Sequence, residues 1–326
     1  MAVPTLGAGE ALADCLRSLE SQTLTDFEVV VVDNSGTGRA RFSGPHTRAI
    51  RNTRNAGYGA AVNQAFRSST AKYLAALNDD VVADATWLEA LVNCAEANPG
   101  VGMFASQVRL SADRLDSAGM LIAADGSSKQ RGHGEDPGRF GEATEVLFSS
   151  GSAALYRREM LEQTGLFDES FFLYCEDTDL GLRARWAGWG CMYVPSAVVE
   201  HRYSQSAGAA SVTKAYYVER NRLYTVVKNF PMRLLLLTPF AALLRYFWHL
   251  ISLVEGRGKA AEFQQGGRPA AWLPWLVLRA LAATAWRLPR LLRERRQIMA
   301  TRRIRPQQFR KLLAAHSIPL RRVASL

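Results

Sequence analysis

The chain has 326 residues with 48% hydrophobic content, enough to bury a substantial core in one large domain or two ordinary ones. Its net charge of +10 is unevenly divided, with residues 1–201 at −9 and residues 202–326 at +19, and the basic part is rich in Leu and Trp, which points to an anionic membrane surface and not to nucleic acid. Cys15, Cys94, Cys175 and Cys191 are scattered without a CxxC pair, so neither a disulfide framework nor a zinc site is suggested, and "MAVPTLGAGEALADCL" has no basic-then-apolar leader, so the N-terminal part is expected on the cytoplasmic side.

Short apolar runs alternate with helix-period segments over the first 110 residues, the pattern of a mostly parallel sheet flanked by helices. Met1–Thr5 reads as a short opening strand. "FEVVVVDNSG", from Phe27, is a buried strand ending in an acid, Asp33. An acid there can accept from a nucleotide, or Asp-Asn-Ser-Gly can simply make a turn. "RNAGYGAAVN", Arg54 to Asn63, is a glycine-marked turn leading into a helix; it is neither GxxxxGK[ST] nor GxGxxG. "KYLAALNDDV", from Lys72, is a second buried strand ending in two adjacent acids. Like charges this close need compensation, from a hard divalent cation such as Mg²⁺ or Mn²⁺ or from the cap of the following helix.

Residues 112–145 turn polar and Gly-rich and read as a surface loop or lid. "EVLFSSGSAALYRRE" reads as a strand, and "CMYVPSAVVEH" as two short strands broken by Pro195. Between them lies "FFLYCEDTDLGLR", with Glu176, Asp177 and Asp179 in four residues. Asp179 and Arg183 stand four apart, the spacing of an ion pair on a helix surface. Glu176 and Asp177 fall in the first turn, where the helix dipole favours anions, and either acid is also placed to take a proton. His201, after the last strand, is a structural histidine or a ligand for a metal already held by carboxylates.

"LLLLTPFAALLRYFWHLISLV", Leu234 to Val254, is apolar for 21 residues, long enough to span a bilayer. Arg245 near its centre would cost roughly 2.5 to 3.5 kcal/mol there, so a helix lying in the interface is expected. In "WLPWLVLRALAATAWRLPRLLRERR", Arg279, Arg287 and Arg290 fall within an arc of about 80°, opposite Leu281, Leu288 and Leu292. That fits an interfacial amphipathic helix with tryptophans at headgroup depth, or a helical hairpin packed on the protein or on a second copy in a homodimer.

In order and spacing, "DNSG", "RNAGYGAAVN", "LNDDV", "SGSAALYRRE", "GLFDESFFLYCEDTDLGLRARWAGW", "VPSAVVEH" and "RNRLY" resemble the family 2 inverting glycosyltransferases of GT-A fold. The nearest branch is the rhamnosyltransferase-like enzymes of bacterial surface polysaccharide synthesis. The resemblance implies an α/β GT-A catalytic domain over 1–230, followed by a basic, membrane-associating helical region over 231–326. It implies transfer from a nucleoside-diphosphate sugar to a glycan or polyprenyl-linked hydroxyl, with Mn²⁺ or Mg²⁺, on the cytoplasmic face of the membrane. Thr5, Asp33, Arg54, Asn55, Gly57, Asn63, Asn78 and Asp79 match donor nucleotide positions. Asp80 and His201 match metal ligands, Asp177 the catalytic base and Glu176 its support. Two departures are Leu6 and Gly7, after a shortened first strand, in place of the usual aromatic and Asn, and Asn78 in place of the first acid of the metal motif. An inactive, membrane-bound assembly subunit of the same fold is the alternative. A dinucleotide oxidoreductase is disfavoured because "PTLGAGEA" lacks the third glycine.

Overall fold

Apolar runs too continuous for a half-solvated strand become the centre of one large sheet. The computed structural model describes residues 1–7, 9–40, 46–202, 211–256 and 272–325. Up to residue 202 the elements are β1 (Ala2–Thr5), α1 (Glu10–Glu20), β2 (Val29–Asp33), β3 (Thr47–Arg51), α2 (Tyr58–Arg67), β4 (Tyr73–Leu77), β5 (Val81–Ala83), α3 (Trp87–Ala97), β6 (Val101–Ser111), β7 (Arg114–Ser117), β8 (Met120–Ile122), β9 (Ser128–Gln130), β10 (Thr144–Glu145), β11 (Ala153–Arg157), α4 (Arg158–Thr164), α5 (Glu176–Trp186) and β12 (Gly190–His201). The second part of the chain forms α6 (Val212–Asn229), α7 (Met232–Val254), α8 (Trp272–Thr301), α9 (Pro306–Ala315) and α10 (Leu320–Ser325).

The main sheet has the order β10-β12-β6-β11-β4-β1-β2-β3, with β5 on β12 and β7 on β6. Strands β4, β1, β2 and β3 are parallel, as are β6 and β12, and β11 runs antiparallel between β4 and β6. This is the mostly parallel α/β sheet expected. The opening strand, though only four residues long, sits between β2 and β4, with Thr5 level with Asp33. Beneath it Val3, Leu12, Val31, Leu77, Trp87 and Leu155 pack into one core.

Two expectations change. Pro195 does not divide "CMYVPSAVVEH": β12 is one strand that absorbs the proline in a register shift against β6 between Val194 and Val198, where no ladder donor is needed. Residues 112–145 are not a loose lid, because β7, β8 and β9 are strands and Leu115, Asp116, Ser117 and Ala118 are buried.

The chain divides into two units, Met1–Met120 with Gln130–Ser206, and Leu121–Lys129 with Ala207–Leu326. The boundary at 230 therefore falls inside the second unit. The physical reason is that α6 packs on α8, and its Arg222 donates to the Asp125 carbonyl while pairing with Glu219. Arg245 of α7 joins this buried group, 2.6 Å from Asp125 Oδ2 and 2.7 Å from Glu219 Oε2. Burial alone would raise the Glu219 pKa, but Arg222 and Arg245 hold it at about 2. With Arg245 turned inward, the exposed face of α7 carries Leu236, Phe240, Leu243, Phe247 and Leu250. On α8, Leu276, Ala280, Leu291 and Ile298 are buried, while Trp272, Trp275 and Trp286 are exposed.

Candidate active site

Parallel strands β1, β2 and β4 end side by side, which gathers Thr5, Asp33 and the Asn78–Asp80 turn at one edge of the first unit, where open α/β sheets carry ligands. Asp79 is buried and hydrogen-bonded by the Thr5 side chain and the Leu6 backbone; burial, then the neighbouring Asp80 charge, pushes its pKa up to about 6. Asp80 is also buried, and its Oδ1 accepts no well-aligned hydrogen bond although His201 Nε2 lies 3.2 Å away. The approach is enforced by the backbone. His201 pairs with Val81 in the β12–β5 ladder, and Arg202 N donates to Asp80 O at 2.9 Å.

Behind His201 lies an acid that spacing could not reveal. Asp116 of β7, itself buried, places Oδ2 3.1 Å from His201 Nδ1 and Oδ1 3.1 Å from His133 Nδ1. Burial would lower the His201 pKa, but the hydrogen bond to Asp116 and the nearby charges of Asp80 and Asp116 raise it to about 9. For Asp116 burial is outweighed by its two histidines, which hold the carboxyl at about 2.

A divalent cation fits this place on the chemistry of its donors. One carboxylate oxygen without a hydrogen bond and one imidazole nitrogen converge at 3.2 Å, close to the roughly 3 Å separating adjacent ligands of an octahedral ion with about 2.1 Å bonds. Among the described residues no group of three or more His, Cys, Asp or Glu side chains forms a full cage. A cation held by only these two side chains would keep positions open for phosphate and water, the usual way such ions are held at phosphate sites.

The second acidic centre is α5. Its approach is strained: Phe172, Tyr174 and Cys175 all have φ between 64° and 68°, a conformation that costs non-glycine residues of order 1 to 3 kcal/mol each. Gly57 makes this turn feasible, with φ +91° and a would-be Cβ only 2.4 Å from Phe172 O, while Tyr58 N donates to that carbonyl at 2.8 Å. Glu176 and Asp177 then open the helix, as the spacing predicts. Their carboxyls differ in what they touch. Asp177 accepts from Gly151 N at 2.9 Å, Thr178 N at 2.6 Å and Thr178 Oγ1 at 3.2 Å, whereas Glu176 Oε2 is buried with no hydrogen-bond partner. Burial raises both pKa values, and the Asp177 charge helps push Glu176 to about 8. More donors that stabilise the anion reach Asp177 than Glu176, so the pair shares its proton on Glu176 and its charge on Asp177.

One turn connects the two centres. Gly151 N holds Asp177, and the next residue, Ser152, accepts from Asn78 N through its carbonyl at 2.9 Å. Asp177 of α5 and the turn after β4, through Asn78 N, are thus held by consecutive residues just before β11.

The other predicted residues fall into two groups. Arg54 and Asn55 are exposed on the turn before α2, where Asn55 Oδ1 accepts from Gly57 N at 2.9 Å. Asp33 is fully buried and accepts from Ser35 N at 2.9 Å and Ala40 N at 3.1 Å. Burial would raise its pKa, but these bonds and Arg51 keep it below the ordinary value. Asn63 departs furthest from expectation: its amide bonds the Phe167 carbonyl, the Phe167 N–H and Glu169 Oε1, tying α2 to the turn before α5. Asp179 pairs with Arg183 at 2.8 Å, yet both are buried and not on the surface. The reason is that Arg183 also donates to the Thr164, Gly165 and Leu166 carbonyls.

The family description "Glycosyl transferase family 2" matches residues 1–165. The chain belongs to this family. A second description, "Glycosyl transferase family group 2", matches residues 135–288. The family 2 chain is 32% identical over 232 residues to an N-acetylglucosaminyl-diphospho-decaprenol L-rhamnosyltransferase of Mycobacterium tuberculosis, covering 63% of this chain and 76% of that protein. It spans only 24% and 18% of two longer relatives. The second of these is the O-antigen biosynthesis protein RfbC of Myxococcus xanthus, 28% identical over 230 residues, 66% of this chain. Among solved structures, GalNAc-T7 with UDP, GalNAc and Mn²⁺ matches with a TM-score of 0.50 at 15% identity, covering 68% of this chain and 48% of that one. That likeness supports the GT-A fold.

Proposed function

We propose that this family 2 chain is a divalent-metal-dependent, inverting glycosyltransferase, moving a sugar from a nucleoside-diphosphate donor to a hydroxyl of a glycan or polyprenyl-linked acceptor. Rhamnose is the proposed sugar on the likeness to the mycobacterial enzyme. The observation that carries the reading is the Gly151–Ser152 link, which ties a carboxylate held as an anion, Asp177, to the Asn78–Asp80 turn.

In this reading Asp80 and His201 hold the cation, Mn²⁺ or Mg²⁺. When bound, it offsets charge developing on the leaving diphosphate. Thr5 and Asp79 line the donor side, and Arg54, Asn55 and Asn78 meet the nucleotide diphosphate. Asp33 and Asn63 act from behind by shaping the loops. Asp177 accepts the acceptor hydroxyl's proton as its oxygen attacks the anomeric carbon, on the face opposite the breaking bond to the diphosphate. Attack from that face inverts the configuration, as in base-assisted glycosidases.

The exposed apolar face of α7 and the tryptophans of α8 support a peripheral or monotopic placement on the cytoplasmic face of an anionic membrane, next to lipid-linked acceptors. The helix Met232–Val254 is long and apolar enough to cross a bilayer. Its Arg245, Thr238 and Ser252 are nevertheless buried within the second unit, which favours lying on the surface.

Asp177→Asn should retain Mn²⁺-dependent nucleotide binding yet lose at least about a hundredfold in turnover. Asp80→Ala should lose the metal-dependent part of nucleotide binding, read by calorimetry with and without Mn²⁺. Full transfer by the first variant, or unchanged binding by the second, would remove that residue from its role. Absence of nucleotide binding by the unaltered chain in a titration with Mn²⁺ would favour the inactive assembly subunit.

A further inference from the structure

We propose that Asp116 is the positioning residue of the cation site, fixing the ring orientation and tautomer of His201, with His133 anchoring Asp116 from behind. The proposal rests on the reading of Asp80 and His201 as metal ligands. It adds a residue that neither motif spacing nor family likeness indicates.

The geometry is a linear relay contributed by four separated segments of the first unit. His133 Nδ1 lies 3.1 Å from Asp116 Oδ1, Asp116 Oδ2 3.1 Å from His201 Nδ1, and His201 Nε2 3.2 Å from Asp80 Oδ1. The Asp116 carboxylate divides its oxygens between the two rings, so neither ring can turn without losing a partner. The Asp116 side chain is 3% exposed and that of His201 13% exposed, so bulk water is a poor substitute for either contact.

A histidine presents a lone pair from only one nitrogen, and the group bonded at the other nitrogen decides which. A carboxylate at Nδ1 keeps the proton there and leaves Nε2 as the donor atom, facing Asp80. Backbone pairing of His201 with Val81 fixes where the ring begins, but not its rotation about the side-chain bonds. Asp116 supplies that restraint. Such carboxylate–histidine arrangements raise ligand basicity, and their loss typically weakens metal binding by 10 to 100-fold.

The geometry also separates Asp116 from an ordinary core acid. Its strand, "RLDS", pairs along β6 through Leu115 and Ser117, so pairing of the strand does not require a carboxylate at position 116. Among the described residues, the carboxylate's hydrogen-bond partners are the two histidines alone.

The test is Mn²⁺ binding to the full chain, followed by the electron paramagnetic resonance of free Mn²⁺. Asp116→Ala should weaken binding by about 10 to 100-fold, and His133→Ala by less, because Asp116 stays in place. Asp80→Ala is the reference for the site itself. If Asp80→Ala abolishes binding and Asp116→Ala leaves it unchanged, Asp116 is not a positioning residue and the metal reading stands. If Asp80→Ala binds Mn²⁺ as the unaltered chain does, the metal reading fails and the inference falls with it.

A second readout guards against a loss caused by misfolding. In ¹⁵N-histidine-labelled protein with Cd²⁺ as a diamagnetic probe, His201 should show a protonated Nδ1 and a metal-bound Nε2. Asp116→Asn, close in shape but uncharged, should fold and keep this pattern at reduced affinity, whereas Asp116→Ala should lose it. Retention of the pattern in Asp116→Ala would overturn the proposal.

Discussion

Glu176 and Asp177 occupy adjacent positions at one helix N-terminus, yet their surroundings assign them different protonation. Three donors on Asp177 hold its charge, and the isolation of Glu176 Oε2 holds its proton. A buried acid whose folded pKa is raised stabilises the fold while it stays protonated. Its contribution is complete below the unfolded pKa near 4.5 and is lost as pH rises through about 8. Glu176→Gln removes that dependence. Thermal unfolding of Glu176→Gln should therefore gain on the unaltered chain between pH 5 and pH 9, and a constant difference across that range would contradict the shared proton. The assignment of Asp177 over Glu176 as base is invisible in the string "CED", because the deciding donor, Gly151 N, lies 26 residues away.

Among the elements, those set by local residue type and period are legible in the sequence. The valine run of β2, the acids after β4, the helix after "CED" and their common sheet edge follow from residue type and period. Those set by partners far along the chain are not. Residues 112–145 looked like a loop because glycine and charge dominate the composition, yet pairing of β7 with β6 buries Asp116 against His201. An isolated acid within the alternation "RLDS" was the only local sign, and a solvated face explains it equally well. Asn63 matches a nucleotide position in the family, while in the fold its amide is engaged by the Phe167 backbone. A prediction at this scale concerns Gly57. Gly57→Ala would place a methyl against Phe172 O in a left-handed backbone, costing about 1 to 2 kcal/mol for the backbone alone and more for the clash. A lower midpoint in urea unfolding, with weaker nucleotide binding, is the expected result; unchanged values of both would refute the role given to the Gly57–Phe172 contact.

For the whole molecule the division of charge marks a division of labour. The acidic first unit carries every candidate site residue, and the basic second unit carries the apolar faces of α7 and α8. Arg245, which argued from sequence against a spanning helix, is compensated inside the second unit by Asp125 and Glu219. Removing one member of such a buried group costs roughly 3 to 5 kcal/mol. The paired substitution Leu236→Glu with Phe240→Glu leaves that group intact. It should abolish flotation with vesicles containing anionic lipid, without changing Mn²⁺-dependent nucleotide binding. Flotation equal to the unaltered chain would exclude the α7 face as the lipid contact, and a switch from dimer to monomer would assign it to a second copy.

The place of β12 in the sheet has a consequence for how the protein is made. His201 is the last residue of that strand, and β12 covers β6 and receives β5. Until β12 has left the ribosome, the Asp80 turn lacks its histidine and the β6 edge that β12 pairs with lacks its partner, since β11 and β7 lie along the other edge. Contacts of such long sequence separation form late and slowly. The acids of the site are synthesised early, but their geometry is completed only by the final strand, so a nascent chain stalled before residue 190 would hold the acidic pair and lack the means to use it.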